Sequence, residues 1–153
     1  MQFLSRPGFV SHRIPPERDE MTGRCECGRV RYRVTGEVKE FTHCHCSQCR
    51  RLHGSAFASF AAVDREDFSY LSGESDLRTY ASSTHIDRVF CGVCGSNIAA
   101  VARSKREFLY LALGTADGDP VLPEGIHIFF DSKAPWYDFT QGSAHFNTRP
   151  EDD

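Results

Sequence analysis

Apolar and polar positions along this chain alternate in short runs and rarely recur with helical spacing. Val30, Tyr32 and Val34 alternate with Arg29, Arg31 and Arg33, the period-two pattern of a strand with one wet face, and Gly36 ends the run. Residues 57–63 read as a second strand, closed by the charged turn Asp64-Arg65-Glu66-Asp67. Residues 77–80, 88–90, 97–101, 108–113 and 126–130 are further short apolar or alternating runs, punctuated by Gly73, Gly114 and Asp117-Gly118-Asp119-Pro120. One helical start stands out. Ser47 is a natural N-cap, residues 48–53 can make one or two turns, and Gly54 can close them. The α-β alternation that parallel sheets require is missing. The expected fold class is therefore mainly β, built of short antiparallel strands with one short helix and no internal repeat.

Residues 1–22 are polar, rich in proline and charge, and carry neither period; they read as an N-terminal arm, either a mobile terminus or a segment that docks on the domain or a neighbour through Phe3, Phe9 and Val10. Residues 23–146 read as one domain, a size that supports a real core within 153 residues, and 147–153 as a C-terminal tail. No apolar run approaches the roughly 18 residues needed to cross a bilayer. Arg6, Pro7, Arg13, Pro15 and Pro16 break the N-terminus in a way that a signal peptide does not tolerate. These features imply a cytoplasmic protein without a membrane partner.

Charge changes the picture little. With 18 basic and 21 acidic residues the formal net charge is −3 and the pI about 6.1, which argues against nucleic acid as a partner. Fifteen of the 18 basic residues are arginine, a weak pointer to anion contacts. Exposed strand edges in such a domain offer a surface for a homodimer.

Cysteine changes it most. The seven thiols fall into a pair, a triplet and a pair: Cys25 and Cys27; Cys44, Cys46 and Cys49; Cys91 and Cys94. In a reducing compartment, clusters of an odd total are better metal ligands than disulfides. Cys25-x-Cys27 at a strand end can present both sulfurs on one face, and Cys91-x-x-Cys94 has zinc-knuckle spacing. Gly28 and Gly95 can supply the positive φ that folds each turn back over an ion. Cys25, Cys27, Cys91 and Cys94 thus make a closed structural zinc site.

Cys44, Cys46 and Cys49 have no fourth cysteine, the ligand count of a second zinc that keeps an open position. Water or an exogenous ligand fills that position, or a histidine does, or the triplet holds no metal. His45, between two same-face cysteines, points away and His43 shares its face, while His53 lies one helical turn beyond Cys49. Three thiolates make a weak activator of water and a natural seat for a substrate sulfur.

The segments Thr22-Gly23-Arg24-Cys25-Glu26-Cys27-Gly28, Cys44-His45-Cys46-Ser47-Gln48-Cys49-Arg50-Arg51-Leu52-His53-Gly54 and Arg88-Val89-Phe90-Cys91-Gly92-Val93-Cys94-Gly95-Ser96 resemble the glutathione-dependent formaldehyde-activating enzyme (GFA) family, which includes centromere protein V. The resemblance runs from about residue 23 to residue 136 and takes in Ser82-Ser83, His127 and Ser132-Lys133-Ala134-Pro135-Trp136. It implies a β-tent fold, a structural zinc on Cys25, Cys27, Cys91 and Cys94, and a more labile zinc on Cys44, Cys46 and Cys49. The implied activity is that of a carbon–sulfur lyase, joining formaldehyde to glutathione as S-hydroxymethylglutathione.

On that expectation Arg50, Arg51 and Lys133 are candidates to meet the carboxylates of a thiol such as glutathione, Arg50 first, although arginines beside a thiolate cluster can simply balance its charge. His53 and His127 are candidate proton relays, and Trp136, Phe129 and Phe130 are expected in the core. Two other functions fit the same residues: a non-catalytic zinc module that acts through macromolecular contacts, and a zinc-thiolate redox switch.

Overall fold

The computed structural model describes residues 20–137. The segments 1–19 and 138–153, with Phe3, Phe9, Val10 and the expected tail, lie outside the described residues. Ten strands and one helix follow one another: β1 Met21–Arg24, β2 Arg31–Val34, β3 Glu40–Cys44, α1 Ser47–His53, β4 Ala58–Asp64, β5 Phe68–Ser72, β6 Leu77–Ala81, β7 Ile86–Cys91, β8 Asn97–Ala102, β9 Phe108–Ala112 and β10 Gly125–Ile128. The class is mainly β, as the alternating runs predict. No helix among the described residues is long and apolar enough to cross a membrane.

The strands form two open sheets. The smaller has the order β1-β2-β5 and the larger β10-β3-β4-β9-β8-β7-β6. Every pairing is antiparallel except β10 with β3, which run parallel in the register His127 to His43 and Ile128 to Cys44. That exception needs no crossover helix, because the chain between β3 and β10 builds the rest of the large sheet before returning to its edge.

Three strands escape the sequence pattern. Met21 and Thr22 belong to β1, inside the segment read as an arm. β3 is half motif, its cysteine and histidine masking the alternation of Thr42 and Cys44 toward the interior. β5 has no fully buried position.

The large sheet is buried on both faces at its centre. In β4, Val63 joins one cluster while Ala58 and Phe60 join another, and in β8 the neighbours Ala99 and Ala100 divide in the same way. The first cluster lies between the sheets, where Val30, Tyr32 and Val34 meet Ile98, Leu109 and Leu111. Tyr32 is fully buried, and its hydroxyl pairs with Thr115 Oγ1 at 2.9 Å, so the ring fastens the small sheet to the turn after β9. The second cluster, on the opposite face, contains Cys44 and Cys49.

Candidate metal centres and the cavity beside them

Cys25 and Cys27 sit in the β1–β2 loop, while Cys91 ends β7 and Cys94 lies in the β7–β8 loop. The four sulfurs lie within 4.8 Å of one another. Cys25 and Cys27 reach one point by a turn, not as alternating residues of a strand: Gly28 N–H donates to Cys25 O at 2.9 Å with φ 74°. The knuckle at Cys91 repeats the device, with Gly95 N–H donating to Cys91 O at 2.8 Å and φ 79°. Only glycine takes that conformation without a Cβ penalty.

The sulfur spacing suits an ion. Cys25 Sγ lies 3.4 Å from Cys27 Sγ, which lies 3.9 Å from Cys91 Sγ. The edge of a tetrahedron of sulfurs around zinc is about 3.8 Å, given a Zn–S bond of about 2.3 Å. Proton affinities within the set diverge. The Ser96 hydroxyl and backbone N–H groups hold Cys94 down to about 5. The Arg29 N–H also pulls on Cys27, but burial and the other three thiols outweigh it and push Cys27 up to about 12. Thiols this close cannot all ionise without a cation among them.

The triplet is built differently. Cys44 ends β3, Cys46 caps α1, and Cys49 lies in its first turn, with all three sulfurs within 4.8 Å of one another. The helix cap is Cys46, not Ser47: its sulfur accepts the N–H of Cys49 at 3.3 Å, the role a serine oxygen would fill at the same place. Gly54 closes the helix as expected. Cys44 and Cys49 beside it, and then the N–H groups of Cys49 and Gln48, draw the Cys46 thiol far below its usual value. The same contacts with Cys46 and Cys49, together with burial, push Cys44 far up. Of the three thiols, Cys46 thus holds its proton least, helped by the N–H groups of the first turn of α1.

No histidine nitrogen or carboxylate oxygen joins either sulfur set among the described residues. His43 and His45 are turned to the far side of β3. There His45 Nε2 lies 2.7 Å from His127 Nδ1, and the His43 ring stacks on His127 at 4.6 Å. His53 packs edge-on against Phe60.

A cavity of about 200 Å³ opens beside the triplet, lined by Cys44, Cys46 and Cys49 together with Thr42, Gln48, Phe60, Ile86, Arg88, Ala100, Tyr110, Ile128, Phe129 and, at one edge, Glu40. Phe129, expected in the core, forms part of this wall, and it is the one non-glycine residue with positive φ (53°) among the described residues. Trp136 is 70% exposed, contrary to the expectation of core packing.

The charged residues singled out in the sequence do not line this cavity. Arg50 Nε donates to the carbonyl of His45 at 3.2 Å, and Arg51 is exposed. The cation at the site is Arg88, which no motif reading had separated from the Cys91 knuckle. Its one sequence signal is a charge placed between the apolar residues Ile86 and Phe90 at alternate positions of a strand.

The profile of the family described as "Glutathione-dependent formaldehyde-activating enzyme" matches residues 20–132. The chain belongs to the GFA family. It is similar to an uncharacterized lyase of Schizosaccharomyces pombe, 24% identical over 83% of this chain and 90% of the relative. A Halomonas elongata protein provisionally named a glutathione-dependent formaldehyde-activating enzyme is 26% identical over 76% of this chain and 78% of its own length. The crystal structure of a Rhodobacter sphaeroides protein superposes with a TM-score of 0.55 at 28% identity, covering 65% of this chain and 90% of that one. This GFA-family chain thus shares its fold with an experimentally determined protein.

Proposed function

We propose that the protein is a zinc-dependent carbon–sulfur lyase that joins a small thiol, glutathione first among the candidates, to formaldehyde or a related aldehyde at the Cys44, Cys46 and Cys49 cluster. The observation that carries this reading is a set of three sulfurs, one short of a closed tetrahedron, on the wall of a cavity. Cys25, Cys27, Cys91 and Cys94 supply four sulfurs and take the structural role.

Zinc held by the triplet would supply a Lewis acid that lowers a thiol's pKa and seats its sulfur in the cavity. The chain does the rest. The Cys49 N–H donates to Cys46 Sγ and favours the thiolate form of that one sulfur. Phe60, Ile86, Ile128 and Phe129 give the cavity apolar walls that limit water. The thiolate sulfur attacks the carbonyl carbon, the C–S bond forms as the C=O π pair moves to oxygen, and the proton given up by the thiol reaches that oxygen through water. Run backwards, the same step is the lyase direction.

At 200 Å³ the cavity is smaller than the ~300–1,000 Å³ of sites that enclose drug-sized ligands. Only the thiol-bearing arm of glutathione would enter, with the rest of the tripeptide outside.

The test is zinc content per chain in protein purified without added metal, followed by glutathione and then formaldehyde. Two zinc ions, one perturbed by glutathione, with adduct formation faster than the uncatalysed rate, support the reading. A single unperturbed zinc and no acceleration, even after zinc is added, would leave a non-catalytic zinc module instead.

A further inference from the structure

Arg88 is a charge buried without a matching carboxylate. It is 7% exposed, and no acidic side chain among the described residues lies in ion-pair range of it. Its orientation is fixed from several sides. Nη2 lies 3.5 Å from both Cys49 Sγ and Gln48 Oε1, and Nε donates to Ser82 Oγ at 3.3 Å. Ser82 Oγ in turn donates to Ile86 O at 3.1 Å, Gln48 Nε2 donates to Ser82 O at 2.7 Å, and the guanidinium carbon sits 5.6 Å over the Phe60 ring. None of these bonds uses Nη1, although the residue lines the cavity. A guanidinium held this rigidly, with donors left over in an apolar wall, is arranged for an acceptor that comes from outside.

The sheet gives the cavity a polarity. Arg88 pairs with Ala100, Ala100 with Tyr110, Tyr110 with Ala62 and Ala62 with Glu40. Arg88 and Glu40 therefore stand on one face, at opposite ends of a single row about 19 Å long at ~4.8 Å per strand. Both line the cavity, the cation beside the sulfurs and the exposed carboxylate at the other edge. A cation thus marks the sulfur end of the cavity and an exposed carboxylate the other.

We propose that Arg88 is the oxyanion receptor of the triplet cavity, donating from Nη1 to a negatively charged oxygen carried close to the ligand's sulfur. The ligand class is a thiol or thiol adduct with an anionic oxygen within two or three bonds of sulfur: an α-mercaptocarboxylate, or the alkoxide formed as a thiolate adds to an aldehyde. The second case rests on the lyase reading above, and the first does not. Arg88 then selects small sulfur ligands by their oxygen and stabilises the addition step by holding the charge that develops there.

The test uses the metal-containing protein with mercaptoacetate and its uncharged methyl ester as probes, titrated calorimetrically into wild type, Arg88→Gln and Arg88→Lys, with metal content measured on the same samples. The ratio of the two affinities is expected to fall at least about tenfold in Arg88→Gln, the scale of one buried charge-assisted hydrogen bond, and by less in Arg88→Lys, with ester binding within about twofold of wild type. An unchanged ratio overturns the proposal. So does loss of metal from both variants, which would make Arg88 a support for the cysteines; if only the glutamine variant loses metal, the fall in the lysine variant decides. Glutathione and formaldehyde given to wild type separate the two readings: a preference for mercaptoacetate that depends on Arg88, without adduct formation, keeps the receptor and removes the reaction.

Discussion

His45 Nε2 and His127 Nδ1 lie 2.7 Å apart directly behind the cysteine triplet, on the face of β3 opposite Cys44. Both rings are buried, and the backbone N–H of His45 donates to Ile128 O at 3.0 Å. These bonds hold β10 parallel to β3 and fix the backbone from which Cys44 and Cys46 project.

Replacing His127 with Ala should therefore weaken the metal site without touching a ligand. The lost buried hydrogen bond costs about 1–3 kcal/mol of stability. Metal affinity at the triplet should fall about tenfold, as it does when support behind a ligand is removed. Urea unfolding and competition with a chelator measure the two effects, and a variant matching wild type in both would show that the pair positions nothing.

Chelation should separate the two centres. The four-sulfur cluster ties the β1–β2 loop to the β7–β8 loop, so metal bound there contributes several kcal/mol to folding. Stripping all metal should lower the melting temperature sharply, and Cys91→Ser, which removes a fully buried member of the four-sulfur set, should reproduce the loss. Calorimetric scans with and without chelator check this, and an unmoved midpoint would count against a structural metal.

Cys46→Ser should leave the protein folded and inactive. A serine oxygen caps a helix at least as well as sulfur does, so α1 keeps its N-terminus and stability changes by less than about 1 kcal/mol apart from the triplet's metal. Cys46→Ala removes the cap as well and should cost about 1 kcal/mol more. Comparing both variants stripped of metal by circular dichroism and urea unfolding isolates the cap, and equal stabilities would contradict it.

Acid should destabilise the domain through His53. Burial, and then the charge of Arg88, hold the folded-state pKa of this ring below its usual value. Its contribution is whole above the unfolded value of about 6.5 and is lost as pH falls toward the lowered folded value. The urea midpoint of wild type should drop between pH 7.5 and pH 5, and His53→Gln should drop less. Parallel slopes for the two proteins would remove His53 from the account.

The cysteines made the two centres legible because a ligand set is written as spacing, and spacing survives in the sequence. Strands such as β2 were legible because one wet face imposes alternation. Other features depend on contacts that spacing does not encode. β5 lies on the small sheet with Phe68 and Tyr70 only half-buried against the core, and exposed Leu71 cuts its alternation short. The parallel seat of β10 is decided by where the rest of the sheet ends. Arg88 stood in the sequence only as the leading residue of the Cys91 segment, and it gains meaning when β7 brings it against Cys49 and Gln48 from a helix 39 and 40 residues away in sequence. Cys46 shows the converse: the residue was found, but its second task as a helix cap appears only with the backbone drawn.

α1 joins the two centres. Its first turn carries Cys49, and at its other end the carbonyl of Leu52 accepts from Asn97 Nδ2 at 3.0 Å, just beyond the Cys91–Cys94 knuckle. Seven residues of helix span about 10 Å, too short to hold their shape alone in water. One of the bonds that hold the helix therefore comes from Asn97 at the start of β8, next to the loop that the four-sulfur cluster closes. Metal loading then has a direction: zinc added in shortfall to stripped protein should fill the four-sulfur site first, and only afterwards find a triplet already shaped to receive it. Cobalt spectra at half and full loading, four sulfurs before three, would record that sequence, and simultaneous filling would break it.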